Sequence, residues 1–190
     1  MNRRALLSAT AAALALGGCL RPAYRTALLD ETGTGSVGAS YTLAAGDRLR
    51  VIVFGQDNLS NIYTVDGAGR IIMPLIGAVS VGGTTTLQAA RAVEARLRNG
   101  FVREPHVTVE VDGYRPFFIL GEVTTSGQYP YVNGMTVETA VAIAAGFGPR
   151  AARDYAVVTR EGPGGLVSGI VPMTYPVRPG DTVVIKERWF

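Results

Sequence analysis

The 190-residue chain has one cysteine, one histidine and one tryptophan, and only 17% of its residues are charged. A single cysteine, Cys19, leaves no partner for an intrachain disulfide. Cys19 and the sole histidine, His106, are too few ligands for a zinc site of the usual kind. His106 alternates with Val107 and Val109, which predicts a solvated strand face, and no G-x-S-x-G elbow offers it a nucleophile. Asp57, Asp66, Asp112 and Asp181 stand in turn-forming contexts, where aspartate satisfies main-chain donors. No catalytic set, cofactor or metal is therefore expected, although a glycosidase-type carboxylate pair stays open. No apolar run reaches the roughly 20 residues of a membrane-spanning helix. The net charge of +3 falls to +1 without Arg3 and Arg4, which provides no field for nucleic acid.

What is present is apolar and turn-rich. Hydrophobic residues make up 47% of the chain, which excludes a disordered tail, and 24 glycines and 10 prolines punctuate short apolar runs. That texture predicts a strand-rich protein rather than a helical bundle.

The N-terminus reads as an address. Arg3 and Arg4 precede an apolar stretch over 5–16, too short to span a bilayer and suited to an export signal. Leu16-Gly17-Gly18-Cys19 resembles the lipobox of bacterial lipoproteins, with cleavage after Gly18 and acylation of Cys19. An ordinary secretory leader with a chance cysteine is the other reading. The paired arginines also resemble a twin-arginine signal, so the export route stays open. Leu20 stands where retention at the inner membrane usually shows aspartate; by resemblance to lipoprotein sorting, this implies the outer membrane. Residues 19–40 are expected to be a tether. Its Gly33-x-Gly35-x-x-Gly38 has neither the preceding strand nor the following helix of a dinucleotide site.

From Tyr41 onward short strands are predicted. One covers 49–54 after the Gly46-Asp47 turn, and a hairpin joins 62–65 to 70–73 across Asp66-Gly67. Pro74-Leu75-Ile76-Gly77 then turns the chain into 78–81. Thr85 with Gln88 predicts a capping box that opens a helix, and Asn99-Gly100 predicts its end. Leu87, Ala90, Val93 and Leu97 share one face of it, and Glu94 and Arg98 form an i,i+4 pair on the other. A strand follows at 106–111. In the second half, strands are predicted near 117–120, 129–132, 156–159, 166–171 and 182–186. A helix capped by Thr136 runs to about 145, apolar almost all round and so expected to be buried. Gly46-Asp47 and Gly180-Asp181 each precede a similar strand, which suggests related turns in two small units. Tyr41, Tyr63 and Tyr129 are expected to be half-buried strand residues rather than sugar-stacking faces.

These pieces, in this order, resemble the bacterial polysaccharide export lipoproteins of the Wza type. The likeness rests on 41–49 with its Gly46-Asp47, on 53–60, on Val65-Asp66-Gly67, on 72–77 and on 105–109. The second half resembles a soluble-ligand-binding β-grasp (SLBB) domain through 118–123, Gly127-Gln128-Tyr129, Thr136, Ala140, 144–146 and 179–188. Ser126 and Phe147 depart from the family pattern, both in turns. The resemblance implies an α+β fold: a leader over 1–18, the tether over 19–40, a polysaccharide export domain over 41–113 and a β-grasp domain over 114–190. It further implies a lipid-anchored periplasmic protein of the outer membrane that closes into a homo-oligomeric ring along the path of a polysaccharide chain. Its expected partner at the inner membrane is a polysaccharide copolymerase. Since the sequence ends at Trp189-Phe190 without the family's amphipathic helix, a separate outer-membrane β-barrel is expected as exit pore. Two readings of other classes stay open: a monomeric β-grasp lipoprotein that binds a small ligand, and a periplasmic hydrolase.

Overall fold

The computed structural model describes residues 41–162 and 165–188. The expected leader, Gly18 and Cys19, the expected tether with its glycine triplet, and Trp189-Phe190 lie outside the described residues.

The fold is α+β and has two apolar cores. In the first, β1 (Arg48–Val53) buries Leu49, Val51 and Val53 and turns Arg48, Arg50 and Ile52 outward, the period of two that a half-buried strand requires. It is the centre of a three-stranded antiparallel sheet, between β2 (Asn61–Thr64) and β5 (Val107–Gly113). The strand stops short of its expected end, and Phe54 is 81% exposed.

The hairpin expected across Asp66-Gly67 does not form. β2 pairs with β1, whereas β3 (Arg70–Met73) pairs with β4 (Gly77–Ser80) around Pro74-Leu75-Ile76. Asp66 supplies the reason: its Oδ1 accepts from the N–H groups of Ala68 and Arg70, each at 2.8 Å. The turn closes on this side chain and carries the chain out of one sheet into the next.

Helix α1 (Thr86–Arg98) begins with the expected capping box between Thr85 and Gln88 and ends at Asn99 and Gly100. Ala89, Ala90, Val93 and Leu97 are buried, and each such aliphatic side chain larger than alanine contributes about 1.5–3 kcal/mol. Leu87 departs from the expected stripe and is 60% exposed, because Ala89 takes the inward place in the first turn. Glu94 is also placed differently: its Oε1 accepts from the Val107 N–H at 3.0 Å and ties the helix to the start of β5.

In the second core, β6 (Phe117–Gly121), β7 (Gly127–Tyr129), β8 (Tyr155–Gly162), β9 (Gly165–Pro172) and β10 (Thr182–Ile185) form one sheet in the order β7-β6-β10-β8-β9. β6 and β10 are parallel at its centre and the other pairs are antiparallel, a β-grasp arrangement. β7 ends before Pro130 rather than continuing to 132, since proline has no N–H for the ladder. Helix α2 (Val137–Ile143) is shorter than expected and lies at the surface. Val137, Ala140 and Val141 face the core while Glu138, Thr139 and Ala142 face solvent, and Ala145 (φ +65°) enters the left-handed turn before Gly146.

Candidate functional site

Two fully buried carboxylates, Asp47 and Asp181, stand at equivalent places in the two units. Each follows a glycine in the left-handed region, Gly46 (φ +90°) and Gly180 (φ +84°), as the third position of a type II turn demands. In each turn the aspartate N–H donates to the carbonyl three residues back. Its carboxylate accepts from that same residue's N–H: Ala44 at 2.8 Å for Asp47, Arg178 at 2.8 Å for Asp181. The similarity expected between the two Gly-Asp turns is thus present in their hydrogen bonding.

An ionised carboxylate withdrawn from water costs several kcal/mol unless it is paired. Asp181 is held by Arg160 on β8, whose Nε and Nη2 donate to its two oxygens at 2.8 and 2.6 Å. Burial alone lowers the guanidinium's affinity for its proton, but the hydrogen bond and charge of Asp181 outweigh this and hold Arg160 above its ordinary pKa. Asp47 takes its remaining partners from outside its own turn. Tyr41 donates its hydroxyl at 2.6 Å, the Arg115 N–H donates at 3.0 Å, and the Arg115 guanidinium stands 3.5 Å away. Burial first, and then the hydrogen bond to Asp47, push the Tyr41 phenol far above its ordinary pKa.

Arg115 lies in the short link between β5 and β6, and its side chain passes between the two Gly-Asp turns. A Cβ on Gly180 would stand 2.7 Å from Arg115 Nε, and one on Gly46 would stand 3.4 Å from Arg115 Cβ. Alongside runs an aromatic ladder. Tyr114 meets Tyr41 edge-to-face at 5.0 Å and Tyr131 of the second unit at 5.4 Å. Such pairs each contribute about 0.5–1.5 kcal/mol beyond area burial. The joint is therefore stiffened by both charge and packing.

Beside this joint a hollow of about 460 Å³ opens between the start of α1 and β5, lined chiefly by Tyr41, Tyr114, Thr86, Leu87, Val109 and Val111.

The remaining candidates are dispersed. His106 is exposed just before β5, and its carbonyl accepts from Phe54 N–H. Asp57 is exposed, and its carbonyl accepts from Ser60 N–H. Asp112 does not serve a turn as expected. β5 continues through it to Gly113, and its carboxylate meets Arg48 at 2.9 Å and Arg50 at 2.7 Å. Tyr41, Tyr63 and Tyr129 are half-buried, each with its hydroxyl bonded within the fold. Among the described residues no three His, Cys, Asp or Glu side chains assemble as a metal site, and no helix is long and apolar enough to cross a membrane. Arg115, Arg160 and the hollow escaped sequence reasoning. The only pointer to them was the repeated Gly-Asp pair, which marks two carboxylates but not their partners.

These features define a two-unit α+β protein whose buried charges serve the joint and turns of the fold. Residues 36–112 match the family described as polysaccharide biosynthesis/export protein, and residues 116–171 match the SLBB domain. The chain is a member of the polysaccharide export family, with an export domain followed by an SLBB domain. It is 33% identical over 132 residues to the exopolysaccharide production protein ExoF of Rhizobium meliloti (strain 1021). That match covers 60% of this chain and 31% of the relative, so the chain spans about a third of that protein's length.

Proposed function

We propose that the protein is a lipid-anchored component of an exopolysaccharide or capsule export machine, and that it acts without catalysis as part of a ring-like conduit. The observation that supports this best is the ordered pair of family matches, export domain then SLBB domain, over the two units. In this reading the leader over 1–18 is removed after Gly18, Cys19 is acylated, 19–40 is the tether, and the domains over 41–113 and 114–190 lie in the periplasm at the outer membrane.

A polymer in transit needs a hydrated corridor with weak, repeated contacts, because a tight site would stall it. A near-neutral mature chain suits that role. Copies would associate head to tail and close, using strand edges left unpaired in each unit. An inner-membrane polysaccharide copolymerase delivers the chain and a separate outer-membrane β-barrel releases it.

Light scattering on the lipidated, detergent-solubilised protein across a concentration series tests the ring. A discrete closed oligomer is expected; a strict monomer at all concentrations would return weight to a small-ligand lipoprotein. Deleting the gene is expected to abolish polymer secretion, and unchanged secretion would sink the export reading.

A further inference from the structure

We propose that the hollow beside the joint is a saccharide subsite for one neutral hexopyranose unit of the polymer. The inference rests on the export reading above and assigns that reading a point of contact.

The wall of the hollow is the free edge of β5. Along this strand the Phe54 N–H donates to the His106 carbonyl, so His106, Thr108 and Glu110 turn their main chain towards β1, up to the register shift that follows Val111. The Val107 N–H points the other way, to Glu94 of α1. With a period of two, the N–H and C=O groups of Val109 and Val111 face outward too, onto the hollow. Two residues apart along a strand is about 7 Å, close to the span of one sugar ring. These two residues expose a pair of donors and a pair of acceptors at that spacing.

Other walls add what a sugar uses. The hydroxyl of Tyr114 has no hydrogen bond to the described residues, nor does that of Thr86, while the Tyr41 and Tyr114 rings supply apolar surface for C–H faces. A volume of about 460 Å³ lies within the range of about 300–1,000 Å³ that small-ligand sites occupy. Among the described residues no lysine or arginine lines the hollow, and Glu110 does, which selects a neutral hydroxyl-rich ligand over an anionic one. A subsite with so few contacts holds its ligand weakly, with Kd on the order of 1 mM, as a corridor requires.

Hydrogen exchange followed by mass spectrometry reads this directly, since the outward amides of Val109 and Val111 have no partner among the described residues to slow them. The probe is a mixture of short oligosaccharides from partial hydrolysis of the polymer that the source strain secretes, added at saturation to the full-length lipidated protein. Slower exchange is expected in peptides covering 107–114 and 84–88. Tyr114→Phe keeps the ring contacts and is expected to weaken binding about 3-fold to 10-fold. Thr86→Trp fills the hollow and is expected to abolish the protection while leaving exchange in the second unit unchanged. Protection that is absent, or that survives Thr86→Trp in the folded protein, overturns the subsite. If gene deletion stops secretion but the hollow shows no protection, the subsite alone fails. If deletion leaves secretion intact, the export reading fails with it.

Discussion

The Asp47 carboxylate accepts the main-chain N–H of Arg115 at 3.0 Å across 68 residues of sequence, while the guanidinium of the same arginine stands 3.5 Å from it. One residue thereby pairs with the carboxylate of the first Gly-Asp turn and packs against the glycine of the second. Asp47 is fully buried and Arg115 is only partly so, which makes the carboxylate the dependent member of the pair. The two units meet through a buried charge that neither could leave unpaired.

Arg115→Met keeps the aliphatic packing and the main-chain bond but removes the charge. Because the guanidinium is partly hydrated, the expected loss is about 1–3 kcal/mol rather than that of a fully buried pair. Urea denaturation measures the loss, and limited proteolysis is expected to cut faster in the link at 114–116. Wild-type stability and cutting rate would remove Arg115 as the clasp.

Asp181→Ala leaves the Arg160 guanidinium buried without its bidentate partner, at an expected cost of about 3–5 kcal/mol. Arg160→Lys is expected to recover little of what Arg160→Ala loses, because an ammonium cannot donate to both oxygens in the fixed fork. A lysine variant that melts with the wild type would refute the bidentate requirement.

Stability should fall in alkali through Tyr41. The unfolded chain releases this phenolic proton near the ordinary value of 10.0, whereas the folded protein, for reasons of burial and the Asp47 hydrogen bond, retains it at higher pH. Above that value the unfolded state binds fewer protons than the folded one, so the free energy of unfolding decreases as pH rises. The contribution is intact below pH 10.0 and is lost progressively above it. Tyr41→Phe is expected to flatten the alkaline limb of the stability curve, and an equally steep limb would assign the effect to other tyrosines.

Gly121→Ala tests the centre of the second sheet. Gly121 has φ +89°, and a Cβ there would overlap the Ile185 carbonyl oxygen at the end of the parallel β6–β10 pair. Strain and overlap together are expected to cost more than about 3 kcal/mol and to reduce the soluble yield. A variant within a degree or two of the wild-type Tm would show that this end of the sheet yields easily.

Much of the fold was legible because local chemistry specified it. Leu49, Val51 and Val53 alternate with polar neighbours, and Thr85 and Gln88 have the spacing of a capping box; neither signal needs a distant partner. The errors fell where a side chain answers to something remote. Glu94 has Arg98 four residues on, yet it bonds Val107 across the packing of α1 on β5. Asp66-Gly67 has the composition of a hairpin turn, but its carboxylate closes a different turn and each flanking strand finds another partner.

Local pattern alone was enough for the class: two small α+β units, with two Gly-Asp turns introducing equivalent strands. It also located both aspartates at the heads of those strands, because a left-handed glycine followed by a capping carboxylate is a local device. That both are fully buried, which arginines neutralise them, and that Arg115 joins the turns became visible in three dimensions alone. Tertiary packing alone placed Tyr41, Tyr114 and the free edge of β5 around one hollow. Ion pairs and cavities form between segments far apart in sequence, and a pattern of period two or 3.6 has no term for that distance.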